Sequence, residues 1–174
     1  MNELSKIAPA IVDAVERLHE AIDEAAGNVA ARNRARLRCA RGCRGCCVDE
    51  LTVFEVEAAA IVRRHPEVLD SAPNTAGGCA FLDAEGACRV YASRPYVCRT
   101  QGLPLRWLED DGSERRDICT LNEEGEPIES LDKDACWPIG PVETRLAGMQ
   151  TMVDGGELRR VPLRSLFRVL RGAV

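Results

Sequence analysis

The sequence predicts an α+β fold, mainly helical, in which a long N-terminal helix and small β-hairpins form a single domain of 174 residues. Three observations predict it. Apolar residues recur at three- and four-residue steps from Leu4 to Val29, which is the period of one face of an α-helix. Farther along, short apolar runs flank turns such as Asp83-Ala-Glu-Gly86 and Asp110-Asp111-Gly112, the pattern of hairpins. Nine cysteines are spread through the chain, and four of them fall within Cys39-Ala-Arg-Gly-Cys43-Arg-Gly-Cys46-Cys47. Free thiols at that density oxidise, scramble and trap metals, so the crowding reads as a metal centre built from thiolates, with helix and hairpins around it.

At 45% apolar residues the chain can bury an ordinary core, and with 4% aromatics that core rests on Leu, Val, Ile and Ala. There are only two histidines, His19 and His65, so any metal centre is sulfur-rich. The opening Met1-Asn2-Glu3-Leu4-Ser5-Lys6 mixes charges and leads into no uninterrupted apolar stretch, unlike a secretory signal. No run approaches the roughly 18 apolar residues of a membrane span, and no membrane partner is expected. A cytoplasmic location follows, where thiols stay reduced and disulfides are rare. An odd cysteine count also fits a complete disulfide framework poorly.

The elements follow in order. Residues 1–34 carry the first helix, whose stripe is Leu4, Ile7, Ile11, Val15, Leu18, Ile22 and Val29. His19 stands beside that stripe and reads as a partly exposed helix residue, not a ligand. Gly42 and Gly45 break the helix and let the backbone wrap closely around something compact. Thr52-Val53-Phe54-Glu55 has capping-box spacing and opens a second helix, continued by Val56, Ala59, Ala60 and Val62 to about Arg64, where Pro66 stops it. His65 can reach a nearby metal from there, yet a histidine facing the negative end of a helix needs no ligand role. Residues 67–78 read as loop. Cys79 to Tyr91 reads as a small hairpin with a cysteine on each arm, and Leu103–Leu108 with Arg116–Leu121 as another. The C-terminal extension, 121–174, holds a weak helical signal at Pro141–Met152 and an apolar patch at Val161–Leu170. No repeat and no domain boundary is evident, and residues 39–120 stand out as the cysteine-bearing core.

Cys43-x2-Cys46 is a bidentate grip, because two intervening residues let both sulfurs reach one ion. Adjacent side chains project in different directions, so Cys46 and Cys47 serve two ions or border a polynuclear cluster, and either arrangement needs sulfur from elsewhere. Cys79, Cys88 and Cys98, separated by eight and nine residues, can supply it, as can Cys119 and Cys136. Eight cysteines would make two four-thiolate sites, and four would complete one iron–sulfur cluster. Soft thiolates suit zinc and iron alike, so the metal stays open. Six arginines and no acid lie between Arg32 and Arg44. Four thiolates around a divalent ion carry about two net negative charges, which nearby guanidinium groups would stabilise. As a nucleic-acid surface that run lacks stacking aromatics, and the net charge is −5, so a nucleic-acid partner is disfavoured. The acid-rich stretch from Glu109 to Asp134 reads as solvated surface.

The cysteine run, Leu51-Thr52-x2-Glu55, Cys79-Ala-Phe-Leu-Asp and Cys88-Arg-Val-Tyr-Ala-Ser-Arg-Pro-x2-Cys98-Arg together resemble the CxxCxxCC (YkgJ-type) cysteine-cluster family of zinc- or iron-chelating domains. The resemblance covers roughly residues 39–120. It implies that Cys39, Cys43, Cys46, Cys47, Cys79, Cys88 and Cys98 are metal ligands, with Cys119 the eighth. One departure is that three residues separate Cys39 from Cys43 where the family pattern has two. Cys136 lies outside the matched part. Arg94 and Arg99 beside the ligand cysteines could donate to sulfur, or pack over the hairpin against Asp83 or Glu85, while Tyr91 reads as packing.

The function these observations favour is metal binding, with zinc or iron (an iron–sulfur cluster included) as cofactor and the metal ion as partner. The resemblance extends to flagellin lysine methylases, which makes an iron–sulfur enzyme or accessory protein the alternative. No glycine-rich nucleotide loop follows a strand, and no catalytic residue is assigned. A zinc-held module docking through its N-terminal helix is a third reading, but a stripe of that kind is normally core.

Overall fold

Proline is favoured in the first turn of a helix, where its missing N–H would have had no partner, and the long helix starts at Pro9, not at Leu4. In the computed structural model, which describes residues 3–75 and 77–168, a 3-10 turn over Glu3–Lys6 precedes helix α1, Pro9–Arg32. Then come strand β1 (Thr52–Phe54), α2 (Glu55–Arg64), α3 (Pro66–Leu69), α4 (Tyr96–Thr100), β2 (Leu105–Leu108), β3 (Glu114–Asp117), β4 (Trp137–Pro138), α5 (Pro141–Asp154) and β5 (Arg160–Pro162). Helix makes up 47% and strand 11%, in small sheets, so the α+β expectation with helix predominating is met. The described residues of Met1–Leu18, Arg41–Pro95 and Leu146–Val174 form one compact unit, and those of His19–Ala40 and Tyr96–Arg145 a second.

In the first unit the start of α1 buries Val12, Val15 and Leu18, and α2 buries Val56 and Ala58–Ile61. Strands β1 and β5 pair antiparallel, Val53 opposite Val161. The expected capping box is not formed, because residues 52–54 are strand and α2 begins only at Glu55, with Phe54 as its N-cap and no side-chain cap there. Thr52 Oγ1 instead accepts from Arg160 Nε at 3.2 Å. Two orphan N–H groups of the first turn find partners from the C-terminal part of the chain: Glu55 N–H donates to Arg159 C=O at 3.4 Å, and Val56 N–H to Gln150 Oε1 of α5 at 3.1 Å. Gln150 is fully buried, and its Nε2 donates to Glu55 Oε2 at 3.2 Å and Asp154 Oδ2 at 2.9 Å. Gln150→Ala is expected to lower the unfolding free energy by about 2 kcal/mol, since it leaves a buried donor unmet. Chemical denaturation measures this, and an unchanged midpoint would remove Gln150 from the account of why α2 starts where it does.

The expected loop at 67–78 begins with α3, because Pro66 sits at the first position of a new turn. The expected hairpin between Cys79 and Tyr91 reduces to a single bridge, Leu82 opposite Cys88. Asp83 Oδ1 takes the N–H groups of Glu85 (3.0 Å) and Ala87 (2.7 Å), so the side chain satisfies donors that a longer ladder would have used. Phe81 anchors this loop against Phe167, ring centroids 5.0 Å apart, both rings buried. The C-terminal apolar patch resolves into β5 and a 3-10 turn over Leu163–Leu166, while residues 169 and 170 of that expectation lie outside the described residues. Helix α5 meets its expectation.

Glu16 on α1 accepts from Arg64 at 2.6 and 2.8 Å and pairs with Arg63 at 2.7 Å. The hydrogen bond from Arg64, reinforced by Arg63, holds its carboxyl at about 2 against the opposing effect of burial. A carboxyl depressed in the folded state adds stability above its unfolded pKa, about 4.3, and loses it as pH falls toward the folded value. Between pH 5 and pH 2 the melting temperature of Glu16→Gln is therefore expected to fall less steeply than that of the parent chain. Parallel slopes in that window would contradict this.

In the second unit the latter part of α1 buries Ile22, Ala26 and Val29, and with them His19, which is therefore buried and not partly exposed as expected; Asp23 pairs with Arg99 of α4. The hairpin expected around residue 112 is present as β2 and β3, Leu105 opposite Asp117. Strand β4, which the sequence reading lacked, adds in parallel with Leu105 opposite Trp137. Trp137 Nε1 donates to the Tyr96 hydroxyl at 2.9 Å. Among the described residues no helix is long and apolar enough to cross a membrane.

Candidate metal centre

The cysteine run is shaped by tight turns. Gly42 takes φ of +88°, a conformation that a side chain would disfavour. Cys47 N–H donates to Arg44 C=O at 3.0 Å, and Val48 N–H to Cys46 C=O at 3.1 Å. The carbonyl of Cys47 then accepts the N–H of Cys79 at 2.9 Å, which joins the run to the Cys79–Cys88 loop in the first unit. Arg44 lies over the turn of that loop, where a Cβ on Gly86 would stand 3.4 Å from its side chain. Arg164 clasps the approach to Cys79, donating to Asp49 Oδ1, to Asn74 C=O at 2.6 Å and to Gly78 C=O at 3.0 Å.

These thiols share a field. Burial, and then the neighbouring Cys46, Cys79 and Cys88, push the Cys47 thiol up to about 12. Burial also raises Cys79 and Cys88. Backbone N–H groups oppose the rise, Phe81 at Cys79 and Val90 at Cys88, as do guanidinium groups: Arg164 and Arg89 at Cys79, Arg94 and Arg89 at Cys88. Crowded thiolates repel one another, and a soft cation replacing their protons removes that penalty. The donor set of the first unit therefore fits zinc or iron.

Among the described residues no three His, Cys, Asp or Glu side chains stand in an arrangement that encloses an ion, and none of the nine cysteines is in a disulfide. Of the expected ligands, Cys43, Cys46, Cys47, Cys79 and Cys88 belong to the first unit, and Cys39, Cys98 and Cys119 to the second. Cys98 sits on α4, and Cys119 precedes the 3-10 turn Thr120–Asn122. The Cys39 sulfur accepts from Asn122 Nδ2 at 3.5 Å. Cys136 is buried in the second unit, 2% exposed, near Arg116 and Arg106.

The guanidinium groups that act most on Cys79 and Cys88 are Arg89, Arg94 and Arg164, and from the run Arg32 to Arg44 Arg36 acts on Cys136. Within that run Arg36 is buried and donates to the Glu126 carbonyl, and Arg38 pairs with Glu124 at 3.8 Å. His65 Nε2 is 2.9 Å from Ser93 Oγ, so the helix-end histidine has a hydroxyl partner. Arg94 donates to Tyr91 C=O at 2.9 Å and stacks on that ring. Sequence reasoning missed Arg164 and Asn122. Arg164 meets Asp49 from 115 residues away, and no local pattern announces such a clasp.

No curated protein and no solved structure matches the chain. A family model does, across residues 38–129, from just before Cys39 to beyond Cys119. The chain belongs to the CxxCxxCC family, described as a putative zinc- or iron-chelating domain.

Proposed function

We propose that the protein holds zinc or iron through the thiolates of Cys39, Cys43, Cys46, Cys47, Cys79, Cys88, Cys98 and Cys119, and that the bound metal organises the cysteine-bearing loops. The observation that carries this reading is the crowding of Cys46, Cys47, Cys79 and Cys88 in one unit, joined by the Cys79-to-Cys47 backbone bond. The family assignment, which spans all eight cysteines, supports it. Such a centre works in a reducing compartment such as the cytoplasm, since each ligand must remain a free thiolate.

Elemental analysis of anaerobically purified chain tests the proposal directly. Stoichiometric zinc in a colourless sample identifies a zinc centre, and iron with acid-labile sulfide in a brown sample identifies a cluster. Removing the metal with a chelator under reducing conditions is expected to lower the helical circular dichroism signal, because metal that organises a fold takes folding free energy with it when it leaves. Protein that is metal-free as isolated and takes up neither metal on reconstitution would end the proposal.

A further inference from the structure

Every polar atom of the Asn122 side chain is committed, and the residue is fully buried. Its Oδ1 accepts the Arg38 N–H at 2.7 Å, one peptide before Cys39. Its Nδ2 donates to the Gly102 carbonyl at 2.8 Å and to the Cys39 sulfur at 3.5 Å. Its backbone N–H donates to Cys119 C=O at 2.7 Å. The amide cannot be turned over, because an N–H faces one end and a carbonyl the other, so the group presented to sulfur is an N–H donor. Gly102 makes the approach possible, since a Cβ there would lie 2.5 Å from the Cys39 sulfur. It follows α4, which carries Cys98. One carboxamide thus ties together the three segments that bear Cys39, Cys98 and Cys119.

We infer that Asn122 is a positioning residue for Cys39 as a metal ligand, holding the sulfur with a neutral N–H···S hydrogen bond that tempers its electron donation. The inference rests on the proposed metal-binding function and adds to it. It gives Cys39, whose spacing from Cys43 departs from the family pattern, a built place in the ligand set. A carboxamide suits this role because it stabilises thiolate charge without bringing a charge of its own. Partners of this kind, which orient a ligand without touching the metal, typically account for 10- to 100-fold in affinity.

The test uses the full chain, labelled with nitrogen-15 and loaded with cadmium-113. Cadmium resonances in the thiolate range establish the centre, and their absence would count against the proposed function and so stand apart from the result for Asn122. With the centre present, a through-bond coupling is expected between cadmium and one Nδ2 proton of Asn122, lost in Cys39→Ser while couplings to other cysteines persist. Coupling to Cys39 β-protons without coupling to Asn122, or to other cysteines but not Cys39, overturns the inference. Chelator competition adds a second readout. Asn122→Ala is expected to bind zinc 10- to 100-fold more weakly, against no change for its exposed neighbour variant Leu121→Ala, and equal affinity in Asn122→Ala and the parent chain also overturns it.

Discussion

Serine at Cys47 is expected to weaken zinc binding by about 10²- to 10³-fold. Structural thiolate sites bind zinc with roughly 10–16 kcal/mol of apparent free energy, so one of four ligands accounts for about 2.5–4 kcal/mol, and each 1.4 kcal/mol is tenfold. A serine hydroxyl is a hard, protonated group and replaces little of that. Cys47 is the informative choice because its thiol feels Cys46, Cys79 and Cys88 at once, so its loss relieves the crowding that a cation would otherwise neutralise. Cys136 supplies the contrast. It is buried in the second unit among Arg116, Arg106 and Glu114, and Cys136→Ser puts a hydroxyl into that interior at a cost of about 1–3 kcal/mol if it finds no partner. That variant is expected to melt earlier and keep its metal. Competition titration and thermal melting separate the two effects, and equal metal loss in both variants would refute the ligand assignment.

What could be read from the sequence was what local chemistry dictates. The three- and four-residue apolar steps place α1 because a helix face has only that period, and Val15, Leu18, Ile22 and Val29 are buried as that stripe requires. The β2–β3 hairpin follows from Asp110-Asp111-Gly112, where Asp111 Oδ1 accepts the Ser113 N–H at 2.8 Å. The cysteine spacings led to the family because they are short-range too. Long-range partners left no such trace. Thr52 and Glu55 have capping-box spacing, but pairing with β5 from more than a hundred residues away pulled Thr52 into a strand, and a buried glutamine on α5 took over the cap. The guanidinium of Arg164 acts on Cys79 from near the other end of the chain, and nothing local to either residue connects them. Asn122 is three residues past Cys119, a spacing that means nothing until Arg38 and Gly102 are folded around it. The two units also interleave along the chain, so no composition shift marks a boundary between them.

Gly102→Ala is expected to destabilise the chain by about 3 kcal/mol and to reduce its metal content without removing any ligand. Two separate penalties act at this position. The backbone has φ of +90°, which for a residue with a side chain costs of order 1–3 kcal/mol. The new methyl would also lie 2.5 Å from the sulfur of the exposed Cys39 and 3.3 Å from Nδ2 of the buried Asn122, and shifting these adds about 1 kcal/mol, the low end of what overpacking costs. The sulfur or the loop has to move, and either movement breaks the contact that Asn122 makes with Cys39. For a chain of this size about 3 kcal/mol corresponds to roughly 10 °C in melting temperature. Gly45→Ala is the matched control, because that glycine lies inside the cysteine run but meets nothing within 4 Å. Its metal content and melting temperature are expected to stay at the parent values. If Gly102→Ala melts about 10 °C lower yet holds a full complement of metal, the loop is strained but the Cys39 sulfur is not a ligand. If it does neither, the close approach of Gly102 to that sulfur is not a feature of the folded protein in solution.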